Sequence, residues 1–438
     1  MNLLLTLILT LGFLLGTPDG PDDEAKARRG TFALTNARIV TVTNGVIENG
    51  TLVIQDDKII ALGPNVDVPA DAEVIDCSGL EIYPGLIDSG TQTGLIEVGS
   101  LAETQDAREL GDLTPQMKAL TAVNPNSVVI PVTRVNGITT VITQPSGGLL
   151  PGTAALINLH GYTPEQMHVG DFEAITMQYP VTGRRGRWDR RSDEQIKKDA
   201  EKALKKLNDA WDQATLFAQI DSAYTANPET GRRPEYVPAM TALLPVLRGE
   251  RPLIITVNAA ADIVSAIEWV EERGMDNVIF SGLAEGWRVA DQIAEAGIPA
   301  LVGPILSVPT RESDRYDKAY ANASLLHEAG VKVAIRTGET ENVRNLPYHA
   351  GFAAAYGLGK EQALRAVTIV PAEIFGVSDL IGSLEVGKQA NLFVTDGDPF
   401  ETRTQVQHLF IDGYKIPLES RHTRLYHEFL DREPGLMR

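Results

Sequence analysis

The feature that most constrains this chain is a repeated alternation of short apolar runs with longer amphipathic stretches. Thr139–Ile142, Leu253–Val257, Val278–Phe280, Ala300–Val302 and Val331–Ile335 are too short to be helices. They are apolar almost throughout, the pattern of parallel strands buried on both faces. Between them lie stretches of helical character at Asp193–Phe217, Val237–Arg248, Ala261–Arg273 and Val289–Ala296. Strand–helix alternation over roughly 290 residues leaves two architectures, a closed (β/α) barrel or a doubly wound sheet. No G-x-G-x-x-G and no G-x-x-x-x-G-K-[ST] stands at a strand–helix junction, which argues against the nucleotide-binding versions.

Both ends read differently from the middle. Phe32–Val42 runs into the tight-turn pair Asn44-Gly45, and Thr51–Gln55 turns at Asp56-Asp57 into Lys58–Leu62. Near the other end, Ala390–Thr395 and Val406–Asp412 are again short and β-branched. A β-rich head and tail around an α/β middle predicts that the two ends build one sheet unit. The single cysteine, Cys77, cannot form an intramolecular disulfide and reads as a small core residue at a strand end.

Charge bounds the partners. Lys plus Arg is 39 and Asp plus Glu is 58, a formal net charge of 39 − 58 = −19. That balance repels nucleic acid and anionic membrane surfaces. Leu3–Gly16 is a nearly continuous apolar run, shorter than a membrane span and of signal-peptide length. Export to the periplasm or the cell exterior is therefore expected, with no membrane span in the mature protein; an uncleaved N-terminal anchor is the alternative. Thr17–Gly30, rich in Pro, Gly and charge, reads as a flexible linker.

Three stretches carry a family resemblance. Pro84-Gly85-Leu86-Ile87-Asp88 resembles the first-strand motif P-G-[LF]-I-D of the amidohydrolase superfamily. Leu364–Thr368, with Pro371-Ala372 and Gly376, resembles its A-x-T-x-x-P-A-x-x-x-G helix signature, and Gly382–Thr395 its closing motif G-x-[IL]-x-x-G-K-x-A-D-L-V-V. Their order and spacing are similar to imidazolonepropionase-like members over Thr31 to about Ile416. The resemblance implies an α/β fold: a distorted TIM (β/α)8 barrel plus a small β-sandwich built from both chain ends. On that basis the chain divides into a signal peptide (1–18), a linker (19–30), β-sandwich parts at 31–83 and 379–418, the barrel (84–378) and a tail (419–438).

The resemblance also implies hydrolysis of C–N bonds other than peptide bonds, with zinc or another divalent metal as cofactor. In the family, P-G-L-I-D is followed by a metal-binding H-x-H; here Gly90 and Gln92 stand at those positions. The fifth-strand histidine corresponds to Thr256 or its neighbours Val257 and Asn258, the sixth-strand histidine to Gly282, and the eighth-strand aspartate to Gly338. A one-residue shift would bring in Glu339 instead. Glycine has no ligand atom and glutamine is a weak neutral donor. The expectation is therefore a degenerate member with no bound metal cofactor, either a hydrolase with an altered site or an inactive barrel. Such a barrel would bind a small-molecule or peptide-like ligand, or form homo-oligomers or pairs with an active homologue.

Seven histidines are present, with no H-x-H and no H-x-x-x-H; His160 and His349 are the candidates for a displaced site. Sites in such barrels lie at the C-terminal strand ends. Candidate pocket residues there are Gln92 and Glu97 after the first strand, Glu285 and Arg288 after the sixth, and Arg336, Glu339, Arg344 and Asn345 after the eighth. Arginine is suited to gripping a carboxylate, whereas mutual pairing of these charges is the plainer expectation. The same holds for Arg184, Arg185, Arg187, Arg190 and Arg191, a basic patch on an expected loop.

Overall fold

The computed structural model describes residues 26–184, 189–229 and 233–432. The apolar run Leu3–Gly16, and Arg185 and Arg187 of the basic patch, lie outside the described residues.

Five strands open the chain: β1 (Thr31–Val40), β2 (Val46–Gln55), β3 (Lys58–Gly63), β4 (Glu73–Asp76) and β5 (Glu81–Pro84). Eight follow in the middle: β6 (Leu86–Thr91), β7 (Ile138–Thr143), β8 (Gly152–Asn158), β9 (His168–Gln178), β10 (Leu253–Val257), β11 (Val278–Gly282), β12 (Ala300–Val302) and β13 (Val333–Ile335). The last three are β14 (Leu392–Thr395), β15 (Val406–Ile411) and β16 (Tyr414–Ile416).

The two ends share one sheet, in the order β16-β15-β14-β5-β1-β2-β3, with β4 paired to β1. The join between the chain ends is antiparallel pairing of β14 on β5, from Leu392 opposite Pro84 to Thr395 opposite Glu81. Alternating residues of both ends, among them Phe32, Leu34, Ile82, Leu392 and Phe410, form its core. Cys77 belongs to this core, fully buried, and burial pushes its thiol up to about 12. The end of the expected linker is tied down rather than free. Arg28 exchanges backbone hydrogen bonds with Lys415, and Arg29 Nη2 reaches Asp412 Oδ2 at 2.7 Å. Those pairs extend the sheet edge, so the sheet unit begins before Thr31. The expected tail carries a helix, Arg421–Leu430, started by a capping box at Ser420 and Thr423.

The middle strands form the second sheet, in the order β13-β12-β11-β10-β9-β8-β7-β6. All neighbours are parallel except β8, which runs antiparallel to both β7 and β9. This antiparallel third strand is one distortion of the eightfold barrel. Strand pleating sends alternate residues to opposite faces. Ile87, Ile142, Ile254, Ile279, Leu301 and Ala334 share one inner cluster, which the helix Ile369–Ile374 joins. The intervening Leu86, Val141, Ile255, Phe280, Val302 and Ile335 pack outward with the surrounding helices. Those helices include Asp193–Ala226, Pro238–Leu247, Ala260–Glu272 and Ala290–Glu295, close to the sequence expectation.

Between β13 and β6 there is no ladder, and the barrel closes on individual bonds. Gly338 N donates to Gly90 O at 3.1 Å, and Gln92 N to Glu339 O at 3.4 Å. Lower down, Ala366 O accepts from Ile335 and Val367 O from Ile87. Between these pairs sits the Asp88 carboxylate, fully buried. It accepts from Gly90 N at 3.0 Å, from Thr337 N at 3.2 and 3.3 Å, and from Thr337 Oγ1 at 2.5 Å. Burial raises its pKa, against the pull of these bonds, from 3.8 to about 6.

Two predictions follow from the seam. Thr337→Val removes one donor from a buried carboxylate and should cost about 1–3 kcal/mol in denaturant unfolding; a loss under about 0.5 kcal/mol would show the hydroxyl to be dispensable. The second concerns pH. Because folded Asp88 holds its proton to higher pH than the unfolded chain, its contribution is fully present below about pH 4. It is lost as pH rises through about 6, a change of roughly 3 kcal/mol. Asp88→Asn should flatten the stability profile between about pH 4 and 6 relative to the parent; superimposable profiles would contradict the raised pKa.

Candidate active site at the barrel mouth

Above the apolar inner layer, the same strand faces turn polar. Two residues beyond Ile87, Ile142, Ile254, Ile279 and Ala334 stand Ser89, Gln144, Thr256, Ser281 and Arg336. Register places Gln178, Thr256 and Ser281 side by side across β9, β10 and β11. Ser89, Gln144 and Ser281 are at least nine-tenths buried, while Arg336 and Thr256 are part-buried.

Arg336 organises this layer. Its backbone N donates to Val302 O at 2.9 Å, which fixes the residue at the top of β13. Nη1 donates to Ser281 Oγ at 2.5 Å, so the guanidinium leans across the mouth towards β11. Gly90 makes room for it: a Cβ there would lie 2.8 Å from Arg336 Nε and 2.9 Å from Cζ. At Gly338 a Cβ would stand 3.4 Å from Nη2. The guanidinium therefore lies against two of the positions where the family resemblance places metal ligands. Among the described residues no carboxylate comes within 4.0 Å of its nitrogens, and Nε is shielded with no hydrogen-bond partner. Burial lowers its pKa, while Asp88 pulls it up. Ser89 Oγ and Gln144 Oε1 are likewise shielded and without partner.

The other positions in question are occupied as follows. Gln92 is part-buried and engaged through its backbone at the seam. Gly282 has φ 92°, and a Cβ on it would stand 2.5 Å from Asn258 Oδ1, so a side chain there would be strained and crowded. Gly338 is exposed, as is Glu339 beside it.

Most of the expected pocket charges are spent on one another. Glu285, 3% exposed, takes a bidentate pair from Arg311 (2.5 and 2.7 Å), a hydroxyl from Thr310 at 3.0 Å and the Ala260 amide at 3.0 Å. Its burial favours the neutral acid, but those donors hold its carboxyl below the ordinary value. Arg288 pairs with Asp314 and stacks over Trp287 at 4.1 Å. Glu97 accepts from Asn124 Nδ2 at 3.0 Å and Val128 N at 3.3 Å. Arg344 reaches Asn342 Oδ1 at 3.4 Å, and Asn345 ends the same short turn. Glu97, Glu285 and Arg288, candidates for the pocket, are thus engaged by local partners, the plainer of the two expectations for these charges. Arg184 and Arg191 of the basic patch pair in the same way with Asp193 and with Asp189 and Asp199.

The two candidate histidines do not converge. His349 is 3% exposed, accepts from Ile305 N through Nδ1 at 3.1 Å, and burial lowers its pKa to about 4. His160 packs against the Tyr414 ring at 4.7 Å in the region where the end sheet meets the barrel. Burial, with Arg134 and Arg29 nearby, lowers it to about 4 as well. Among the described residues no three His, Cys, Asp or Glu side chains come together as a metal-binding group.

Sequence reading missed Ser89, Gln144 and Ser281. The signal was available in the period of two: each follows by two residues an apolar residue of a strand buried on both faces. A groove of about 640 Å3, lined by Trp287, Asp291, Gln292, Leu325 and Glu328 among others, lies on the helices. A hollow of about 40 Å3 borders the mouth at Gly282, Gly303 and Pro304.

With this geometry in place, similarity to known proteins is informative. The Amidohydrolase family profile matches residues 259–416. Imidazolonepropionase of Mesorhizobium japonicum is 25% identical over 426 residues, covering 85% of this chain and 93% of that protein. Amidohydrolase tasK of Hapsidospora irregularis is 22% identical over 84% of this chain, which spans only 39% of that relative. The crystal structure of an amidohydrolase from Thermotoga maritima superimposes with a TM-score of 0.77 at 25% identity, covering 89% of this chain and 100% of that one. The barrel, the shared end sheet and these similarities agree: the chain has the amidohydrolase fold and is similar to imidazolonepropionase-like members of that superfamily.

Proposed function

We propose that this chain is an amidohydrolase-fold protein whose barrel mouth binds an organic ligand without a divalent metal. One observation carries the reading: the Arg336 guanidinium lies against Gly90 and Gly338, where the family resemblance puts metal ligands. A fixed cation there opposes a divalent ion by roughly 8 kcal/mol at about 4 Å and an effective dielectric of about 20. The donors around it do not fit a metal. Gly90, Gly282 and Gly338 offer no ligand atom, and the hydroxyls of Ser89, Thr256 and Ser281 and the amide of Gln144 are weak neutral donors.

Similarity to the superfamily favours a second reading, a hydrolase of C–N bonds other than peptide bonds working from an altered site. One preparation distinguishes them. After dialysis the protein should retain well under about one-tenth of an equivalent of zinc, manganese or iron. It should also leave cyclic amides and dipeptides intact with or without added zinc. One equivalent of retained metal, or zinc-stimulated hydrolysis, would overturn the first reading and support the second.

Export is proposed on the apolar run Leu3–Gly16. N-terminal sequencing of protein from its own host should start between about Gly16 and Gly30; a cytosolic protein beginning at Met1 or Asn2 would refute it.

A further inference from the structure

We infer that the apolar face of the helix Arg421–Leu430 seats this protein on the surface of a zwitterionic lipid bilayer, with the helix lying in the headgroup plane.

The first observation is the face itself. Successive residues of a helix turn by about 100°, so Leu425, Tyr426, Phe429 and Leu430 fall within about 140° of arc, with His422 at the N-terminal end of the same face. No residue of the helix is buried, and Tyr426, Phe429 and Leu430 are 61%, 58% and 62% exposed. Isolated helices shorter than about 12–15 residues are marginal in water, and packing of one apolar face is what normally holds them. This helix has a capping box and a fixed root, since Leu418 just before it packs on the core, yet its apolar face stays open to solvent. Arg424 and His427 stand on the opposite side. Arg432 Nη2 pairs with Glu428 at 2.7 Å while its guanidinium lies 3.8 Å from the centre of the Phe429 ring. That is the posture of a long cation whose stem covers an apolar surface and whose head stays wet. An apolar arc with aromatics opposite a charged one is the composition of an interfacial helix.

The second observation is where the chain enters the structure. Arg28 exchanges backbone hydrogen bonds with Lys415 of β16, the edge strand of the end sheet, and only residues 417–420 separate β16 from the helix. Residues 17–25 join this corner to the apolar run Leu3–Gly16, a reach of at most about 32 Å when extended. A bilayer that holds the run during export therefore lies within reach of the corner that carries the helix. Among the described residues no helix is long and apolar enough to cross a membrane, which confines the contact to the interface.

Area and charge select this occupant. A stable contact with a second copy buries about 800 Å2 per partner from about 20–30 residues a side, far more than one face of a ten-residue helix supplies. A lipid surface needs no matching relief. Around the helix Arg421, Arg424 and Arg432 are balanced by Glu419, Glu428 and Asp431, 3 − 3 = 0, and the whole chain carries −19. The apolar face is thus the driving element, and a zwitterionic surface suits it better than an anionic one.

The test places a fluorophore on each side of the helix in the full chain. Cys77 is fully buried, so Tyr426→Cys and Arg424→Cys each offer one reactive thiol. With phosphatidylcholine vesicles, the label at position 426 should shift to shorter wavelength and be quenched by brominated lipid. Quenching at position 424 should be at least about fivefold weaker, since that side faces water. Adding Leu425→Asp and Phe429→Asp to the Tyr426→Cys chain should weaken this quenching at least about tenfold, with the barrel's thermal unfolding unchanged because both residues lie outside the core. Because the readout is local to the helix, lipid held by the apolar run Leu3–Gly16 alone does not produce it. Replacing part of the lipid by phosphatidylglycerol should weaken the response at low salt. No quenching at position 426, equal quenching on both sides, or quenching that survives the two aspartates would each overturn the inference. So would a stronger response on phosphatidylglycerol, or a wavelength shift that grows with protein concentration without vesicles, which would assign the face to a second copy.

Discussion

A buried carboxylate holds the barrel shut, and the mouth depends on it. Strands β6 and β13 have no ladder between them, so closure rests on a few individual bonds. Asp88 supplies the densest set, accepting from its own strand at Gly90 and from Thr337 across the gap. A carboxylate taken wholly out of water is expensive, and burial raises its pKa even against the bonds it accepts. The bonds it gathers fix the two residues that flank the Arg336 edge, Gly90 just after Asp88 and Gly338 just after Thr337. The seam thereby sets the position of the guanidinium relative to both glycines.

The charges around the mouth fall into two groups by their partners. Glu285, Arg288, Arg311 and Asp314 form a closed set in which each charge meets an opposite one. Such a set stiffens the loops after β11 and β12 and leaves little for a ligand. Arg336 is the contrast. Its one side-chain partner is a neutral hydroxyl, and its nearest anionic influence, Asp88, is already engaged by four donor contacts. A cation held in a polar layer without an opposite charge is expensive.

The fold was legible because it rests on periodicity. Apolar runs of strand length with intervening helices placed β7 and β10–β13 nearly to the residue, and turn pairs such as Asn44-Gly45 marked the end sheet. β8 and β9 were not among the runs read as strands, and the antiparallel sense of β8 was not legible either. An apolar strand buried on both faces reads the same in either direction, and only chain connectivity in space reveals its sense. At the site, residue identity told which ligand types were missing at Gly90, Thr256, Gly282 and Gly338, but not what lay against them. Whether a rim charge is free or satisfied depends on partners far away in sequence: Glu285 meets Ala260 and Arg311, Glu97 meets Asn124. No local pattern announces those meetings.

An arginine and a metal ion would do different things in the same scaffold. A divalent ion acts by polarising a bond and by making bound water nucleophilic at neutral pH. A guanidinium keeps its proton and offers no coordination position for water; it can only orient and neutralise an anion. A Cβ at Gly90 would stand 2.8 Å from Arg336 Nε, whereas one at Gly338 would stand 3.4 Å from Nη2, an ordinary contact. A side chain at position 90 would require the Arg336 guanidinium to shift. The present Arg336 conformation and a side chain at position 90 therefore compete for the same space.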